Sequence, residues 1–465
     1  MLRYCSAGVL TITAVLASSI GLGAQLPASV ADRVDAIAAK ALADTGTPSV
    51  SVALVKDGKI AYVKAYGNAR LEPATAARSD MRYPVGSVSK QFMACAILLL
   101  EQDGKLSLDD PVSRFLPSLT RARDITIREL LSHTSGYQDY YPLDYVAPFM
   151  LQPVTADGIL DRWAKKPLDF EPGTRWQYSN TNYVVAGRIV ETVSGMPMFS
   201  FLESRILRPL GMESAIDLDT QPLSDSDAAA YTRFALGAVR PVQSEAKGWL
   251  FAAGELAMTA HDLALWDLSL LDGKLLTPAS LNEMITPARL KNGTTTNYGL
   301  GEGVSDSADH PKLEHGGAVS GFVSDNVVWL GQGAAVAVFT NLDGSSAAHS
   351  IANQIGPLLL SEKQDPQAAQ QLEQARQVFG ELQEGKIDRS VLTSDADAYF
   401  TPQVLADAAA SLKPLGAPQS FEQTTFGLRG GMTYRRFRVQ FASGKSVSVS
   451  TFSVNDGKFA QYLIE

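Results

Sequence analysis

Ser87 and Lys90 stand three residues apart in Ser87-Val88-Ser89-Lys90, just ahead of an apolar run with Phe92, Ala96, Leu99 and Leu100 that stops at Asp103-Gly104. Residues three apart on a helix share a face, so the lysine amine reaches the serine hydroxyl and the pair can exchange a proton. A lysine partly buried at the positive end of a helix has its charged form disfavoured by desolvation and by the helix dipole, which leaves a basic amine near neutral pH. The same dipole favours the oxyanion formed when a serine attacks a carbonyl. The pattern alone is loose: it recurs at Ser244-Glu245-Ala246-Lys247, where Gly248-Trp249 follows and no helix carries the pair. On the tetrapeptide by itself, a capping serine and a surface lysine are the commoner outcome.

Two further groups follow in the chain. Tyr178-Ser179-Asn180 comes after the turn Glu171-Pro172-Gly173 and before a helical run from Tyr183 to Val193, so a phenol and an amide are presented together on a loop. A packed tyrosine with a satisfied hydroxyl is the ordinary alternative. Tyr66-Gly67-Asn68 has the same spelling but lies at a strand end upstream of Ser87 and reads as a turn. His315-Gly316-Gly317 precedes a strand-like stretch from Ala318 to Leu330, and its glycines would let a substrate approach the backbone. A hairpin turn with an incidental histidine is the bland reading of that triplet.

The elements that must position these groups can be outlined. The chain has 465 residues, beyond the roughly 250 to 300 at which single cores stop growing, so at least two folded units are expected. A helix from Ala31 to Asp44 is followed by a hairpin, Ser49 to Lys56 and Lys59 to Tyr66, around Asp57-Gly58. Helical patterning dominates from Ser87 to about Leu270. Strand character returns at Tyr298 to Val304, Phe322 to Leu330 and Ala334 to Asn341, before a helix through Ile355 and Leu360. One antiparallel sheet closed by distant segments, flanked by helices and carrying a helical lobe, satisfies these patterns, with a cleft between the lobes. A polar linker over 361–370 separates this domain, 30–360, from a C-terminal α+β domain over 371–465. There a helical stripe precedes four strand-like runs, a pattern resembling the small NTF2-like cone.

Composition narrows the function. Forty basic and 49 acidic residues give a net charge of −9 with no basic run, which argues against nucleic acid as a partner. The five histidines show no His-Glu-x-x-His or His-x-His spacing, so neither a metal nor another cofactor is expected. There is no Gly-x-Ser-x-Gly elbow of the α/β-hydrolase kind. Met1-Leu2-Arg3 and the apolar run from Val9 to Leu22 read as a signal peptide over 1–24, which places the mature protein outside the cytoplasm, secreted or periplasmic. Cleavage removes Cys5 and leaves Cys95, so no internal disulfide is expected, and no stable membrane anchor either.

The order Ser-x-x-Lys, Tyr-x-Asn, His-x-Gly, set within Pro84-Val85-Gly86-Ser87-Val88-Ser89-Lys90, Ile125 to Tyr137 (ITIRELLSHTSGY), Ile206 to Met212 (ILRPLGM) and His315 to Phe322 (HGGAVSGF), resembles the serine beta-lactamase-related family over residues 30 to 360. Class C beta-lactamases, D,D-peptidases, D-amino-acid amidases and carboxylesterases belong to it. The resemblance implies that Ser87 is the acylated nucleophile, Lys90 its proton acceptor and Tyr178 the carrier of protons to the leaving group and the deacylating water. It implies that Asn180 orients Lys90 and substrate, and that the Ser87 and Ala318 N–H groups form the oxyanion hole beside His315, Gly316 and Gly317. Penicillin-hydrolysing members have a lysine where His315 stands, so the expectation moves from beta-lactams to an ester, short peptide or D-amino-acid amide. His133 reads as fixing a helix end, with no catalytic role. A binding protein that kept the fold and lost the chemistry is the rival reading.

Overall fold

A computed structural model describes residues 26–305, 311–360, 365 and 367–465; the expected signal peptide lies outside the described residues. The chain divides into two compact units at Leu360/Ser361.

In the first unit, helix α1 (Ala28–Thr45) leads into strands β1 (Ser49–Lys56), β2 (Lys59–Leu71) and β3 (Ala74–Ala76). The chain then leaves the sheet through β4 (Tyr83–Pro84), a 3₁₀ turn (Gly86–Val88) and helix α2 (Ser89–Gln102). Within the excursion lie β5 (Ile216–Asp217), the hairpin β6 (Tyr231–Arg233) and β7 (Val239–Pro241), and β8 (Leu256–Met258), which pairs with both β4 and β5. The chain returns as β9 (Gly303–Ser305), β10 (Lys312–Val319), β11 (Phe322–Trp329) and β12 (Ala334–Thr340). The resulting sheet has the order β3-β2-β1-β12-β11-β10-β9 and is antiparallel throughout. This is the beta-lactamase-like arrangement expected, one sheet closed by segments from both ends of the unit.

The alternation of β1 explains its burial on two sides. Val50, Val52 and Leu54 join Val34 and Ala38 of α1 and Ile351 and Ile355 of the helix Ala347–Leu359 in one core. Ala53 and Val55 face the other core, which contains α2. Every residue of α2 from Ser89 to Leu100 is buried, because the run FMACAILLL is apolar all round and must sit inside rather than on the lobe.

Three features differ from the sequence expectation. The stretch from Tyr298 to Val304 supplies only the short strand β9, with Tyr298 reduced to an isolated bridge to Gly303. His315-Gly316-Gly317 is not ahead of the strand but inside β10, and the turn comes later, at Ser320-Gly321. The physical reason is the neighbour of Gly317: a Cβ there would lie 2.0 Å from the Val85 carbonyl oxygen. The glycine allows close packing of a strand rather than a bend. The lobe also contains the small three-stranded sheet and the β6–β7 hairpin, whose two- and three-residue strands leave no alternation to read.

The second unit is described on its own. Ala375, Val378, Phe379 and Leu382 of the helix Ala368–Gln383 pack on Phe421, Phe437, Val439, Phe441 and Val449 of a four-stranded antiparallel meander, β13 (Pro418–Arg429), β14 (Met432–Phe441), β15 (Ser446–Ser453) and β16 (Phe459–Ile464). The Asp365 side chain, within the expected linker, is buried and receives two hydrogen bonds from the buried Arg435 guanidinium, at 2.6 and 2.8 Å, which pins that end of the segment to the sheet. No helix among the described residues is long and apolar enough to cross a membrane.

Gly316 and Gly317 offer a direct test of this packing. A Cβ on Gly316 meets nothing nearer than 3.7 Å, whereas one on Gly317 collides with the turn before Ser87. Gly316→Ala is expected to leave the melting temperature within a degree or two, and Gly317→Ala to cost about 2 kcal/mol or more. Thermal melts of the two variants decide it.

Candidate active site

The buried helix α2 presents Lys90 in its first turn, and the amine makes three contacts. Lys90 Nζ donates to Asn180 Oδ1 at 2.8 Å and to the Ala253 carbonyl at 2.7 Å, and lies 2.8 Å from Ser87 Oγ. The first two partners carry no hydrogen to give. A neutral amine has two N–H bonds and one lone pair, so satisfying Asn180 and Ala253 leaves the lone pair for the Ser87 hydroxyl proton. The side chain is fully buried, and burial pushes its pKa down to about 7, against the opposing charges of Asp139 and Glu255. The geometry and the electrostatics therefore agree on a lysine able to act as a base.

Ser87 is held in the 3₁₀ turn ahead of α2 and not in the helix itself, half exposed at the floor of a cleft of about 1670 Å³. The turn rests directly on β10. Gly86 has φ +53°, and a Cβ on it would stand 2.9 Å from the Ala318 nitrogen. Ser324 Oγ donates to the Val85 carbonyl at 2.8 Å, and Ser89 Oγ accepts from the Leu256 N–H at 3.2 Å. These contacts bring Ser87 beside Ala318. Past Glu314 the outer edge of β10 has no paired strand among the described residues, so an extended group has room to lie along it.

Tyr178 occupies the loop before the helix Asn180–Ser194, and Asn180 is the first residue of that helix. The Lys90 amine sits 5.0 Å from the centre of the Tyr178 ring. Burial raises the phenol pKa, so the phenol is protonated at neutral pH and serves first as a donor. Ser87, Tyr178, Asn180 and the stretch His315 to Ala318 line the cleft, with Lys90 behind them. All eight residues singled out from the sequence thus come together.

His315 stands differently from a substrate-binding cation. Its ring is buried and neutral, with the pKa pushed down to about 3 by burial and then by the Lys90 charge. Both nitrogens are engaged, Nε2 with the Tyr298 hydroxyl at 2.9 Å and Nδ1 with the Gly316 carbonyl at 2.6 Å. Since a carbonyl can only accept, the proton is on Nδ1 and Nε2 accepts from Tyr298.

Three residues of the site were not found from the sequence. Asp139 accepts from Asn180 N at 2.9 Å and from Asn180 Nδ2 at 3.2 and 3.3 Å, which turns the amide so that its oxygen faces Lys90. It stands two residues past the ITIRELLSHTSGY segment, and nothing in its neighbours marks it. Glu255 is buried, raised to about 8 by burial, with one carboxyl oxygen unpartnered. A lone acid in the run Ala252-Ala253-Gly254-Glu255-Leu256-Ala257-Met258 was the available signal. Tyr298 completes the set through His315.

Residues 34–357 match the family model described as Beta-lactamase. The putative penicillin-binding protein PbpX of Bacillus subtilis is 29% identical over 66% of this chain and 74% of its own length. Esterase EstB of Burkholderia gladioli is 34% identical over 42% of this chain and 53% of its own length. The chain thus spans about half to three quarters of the length of these curated relatives. Among solved structures, a D-stereospecific amidohydrolase from Streptomyces superposes with a TM-score of 0.60 at 29% identity, covering 68% of this chain and 96% of that one.

The Lys90 environment predicts a pH profile. The rate constant kcat/KM toward an uncharged ester is expected to rise with pH through about 7, as Lys90 loses its proton. The Asp139 carboxylate favours charged Lys90, so Asp139→Asn should move that limb to lower pH. A limb unmoved in the variant would disconnect Asp139 from the base.

Proposed function

The chain belongs to the Beta-lactamase family of serine hydrolases, and on that premise we propose that it cleaves apolar esters or amides outside the cytoplasm through a covalent acyl-enzyme, with little action on beta-lactams. The observation that carries this is the triple contact of Lys90, which leaves its lone pair for Ser87 and none for a structural role.

In the proposed cycle, Lys90 takes the Ser87 proton as Oγ bonds to the substrate carbonyl carbon, and the N–H groups of Ser87 and Ala318 receive the oxyanion. Collapse breaks the bond to the leaving group, which takes a proton from Tyr178 while the Lys90 proton refills the phenol. Water then attacks the acyl-enzyme with the same groups in reverse. The balance is one water consumed and one acid plus one alcohol or amine released.

The lining of the cleft supports the choice of substrate. Among the described residues it carries five acids, Asp139, Asp144, Glu314, Asp325 and Asp343, against a single arginine, Arg233. Arg233 Nη2 is turned to the α1–β1 turn, where a Cβ on Gly46 would lie 2.3 Å from it. With His315 neutral, a substrate carboxylate finds no cation at the third motif. Leu143, Tyr145, Leu151 and Phe234 are exposed at the mouth and favour an apolar group. The names of the relatives, an esterase and a D-stereospecific amidohydrolase, agree with an ester or amide substrate. The basic start and apolar run before Gln25 support export.

A fluorophosphonate, which marks activated serines whatever their natural substrate, tests the reading. Peptide mapping should place the label on Ser87, and Lys90→Ala should abolish it; an unlabelled Ser87 in folded protein would favour the binding-protein alternative. Specificity has its own measure. Absent a cation at position 315, a carboxylate-bearing beta-lactam such as nitrocefin should react with kcat/KM roughly 10- to 100-fold below that of an apolar phenyl ester. Equal values would remove the argument from His315.

A further inference from the structure

We propose that His133 is a positioning residue that holds Tyr178 in register with Ser87; the assignment rests on the proton-carrying role given to Tyr178 above. The sequence reading limited His133 to a helix end, and it does follow the short helix Ile127–Leu131. Its carbonyl, Nδ1 and ring, however, all meet the segment around Tyr178, with Nδ1 also 3.4 Å from Asn182 Nδ2.

The amides on both sides of Tyr178 end on His133. The Gln177 N–H donates to the His133 carbonyl at 3.0 Å, and the Ser179 N–H donates to His133 Nδ1 at 3.2 Å. Between these two bonds, the His133 ring lies on the Tyr178 ring with centroids 4.3 Å apart and planes at 35°. The imidazole is wedged further among Tyr183, at 5.3 Å, and Tyr298, at 4.8 Å. Backbone and side chain of one residue thus fix the position, the flanking peptides and the ring plane of Tyr178. Accepting from a backbone N–H requires Nδ1 to be unprotonated, so the ring is the Nε2–H tautomer, and burial keeps it neutral.

The cost of this arrangement is visible. His133 is fully buried, has φ +59° although it is not glycine, and its Nε2 has no partner. Left-handed backbone at a non-glycine residue and an orphaned ring nitrogen persist where surrounding structure over-determines them. A residue needed only to end a helix would relax to glycine or asparagine at that φ. His133 does not line the cleft, so it touches no substrate and acts through Tyr178.

A double-mutant cycle separates positioning from general stability. His133→Asn keeps an acceptor and tolerates the left-handed backbone; His133→Phe keeps the ring and loses the acceptor. Each is expected to lower kcat for a phenyl ester about tenfold or more with KM little changed, and to change kcat less than about threefold when Tyr178→Phe is already present. Equal losses in both backgrounds, wild-type kcat in both single variants, or failure of His133→Asn to fold would each overturn the assignment and place His133 in the scaffold alone. Wild-type turnover by Tyr178→Phe itself would instead sink the role of Tyr178, and this assignment with it. Ser87→Ala, assayed alongside, reports on the nucleophile independently of both.

Discussion

Everything in the catalytic unit is arranged around one expensive placement, an amine buried with no carboxylate bonded to it. A charged lysine in such a position would be strongly penalised, and the protein's answer is to supply two acceptors, Asn180 Oδ1 and the Ala253 carbonyl, that a neutral amine can satisfy. Both acceptors must then be immobilised. Asp139 fixes the Asn180 amide from behind, and Ala253 follows Ala252, a non-glycine residue at φ +57° that fits beside Gly187 where a Cβ would leave only 2.6 Å. Strain at Ala252 and at His133 therefore brackets the site from two sides.

Placing that amine also requires α2 to be immovable. Behind Lys90, Gln91 accepts from Trp266 Nε1 at 2.6 Å and donates to Asn326 at 3.1 Å, and Asn326 donates to Asp267 at 2.9 Å. This buried chain ties the helix to β11 and to the helix Ala260–Asp272. Phe92 stacks on Trp266 with ring centroids 4.5 Å apart, adding apolar contact to the polar link. Ser87, fixed in the 3₁₀ turn that leads into the same helix, inherits its rigidity, and β10 meets it only because Gly86 and Gly317 remove the Cβ atoms that would hold turn and strand apart.

What the sequence displayed and what it hid divide along the same line. Ser87 and Lys90 are legible because helix geometry couples residues three apart, and Tyr178 and Asn180 because a loop and a helix start present them together. The major elements were legible from their periodicity, β1 and β2 by alternation and α2 by its apolar run. Asp139, Glu255 and Tyr298 act through contacts between distant segments, and no local pattern announces such contacts. The glycines of β10 were misread for that reason: an absent Cβ has the same spelling whether it serves a turn or a close approach to Val85. The two- and three-residue strands of the lobe are too short to carry a period at all.

The charge state of the third motif follows from the first. A charged Lys90 lowers the proton affinity of His315, adding to the effect of burial. A permanent cation at position 315 would face a second cation across the site, whereas a buried neutral imidazole leaves Lys90 to be tuned by burial against Asp139 and Glu255. The His315 ring, closed by Tyr298 and the Gly316 carbonyl, has no hydrogen-bonding capacity left for a carboxylate. On the proposed reading, recognition comes from the apolar mouth and the free edge of β10, which grip shape and backbone rather than charge. On that reading, a site whose motifs hold one titratable cation instead of two trades a grip on anionic substrates for a simpler way of keeping its base uncharged.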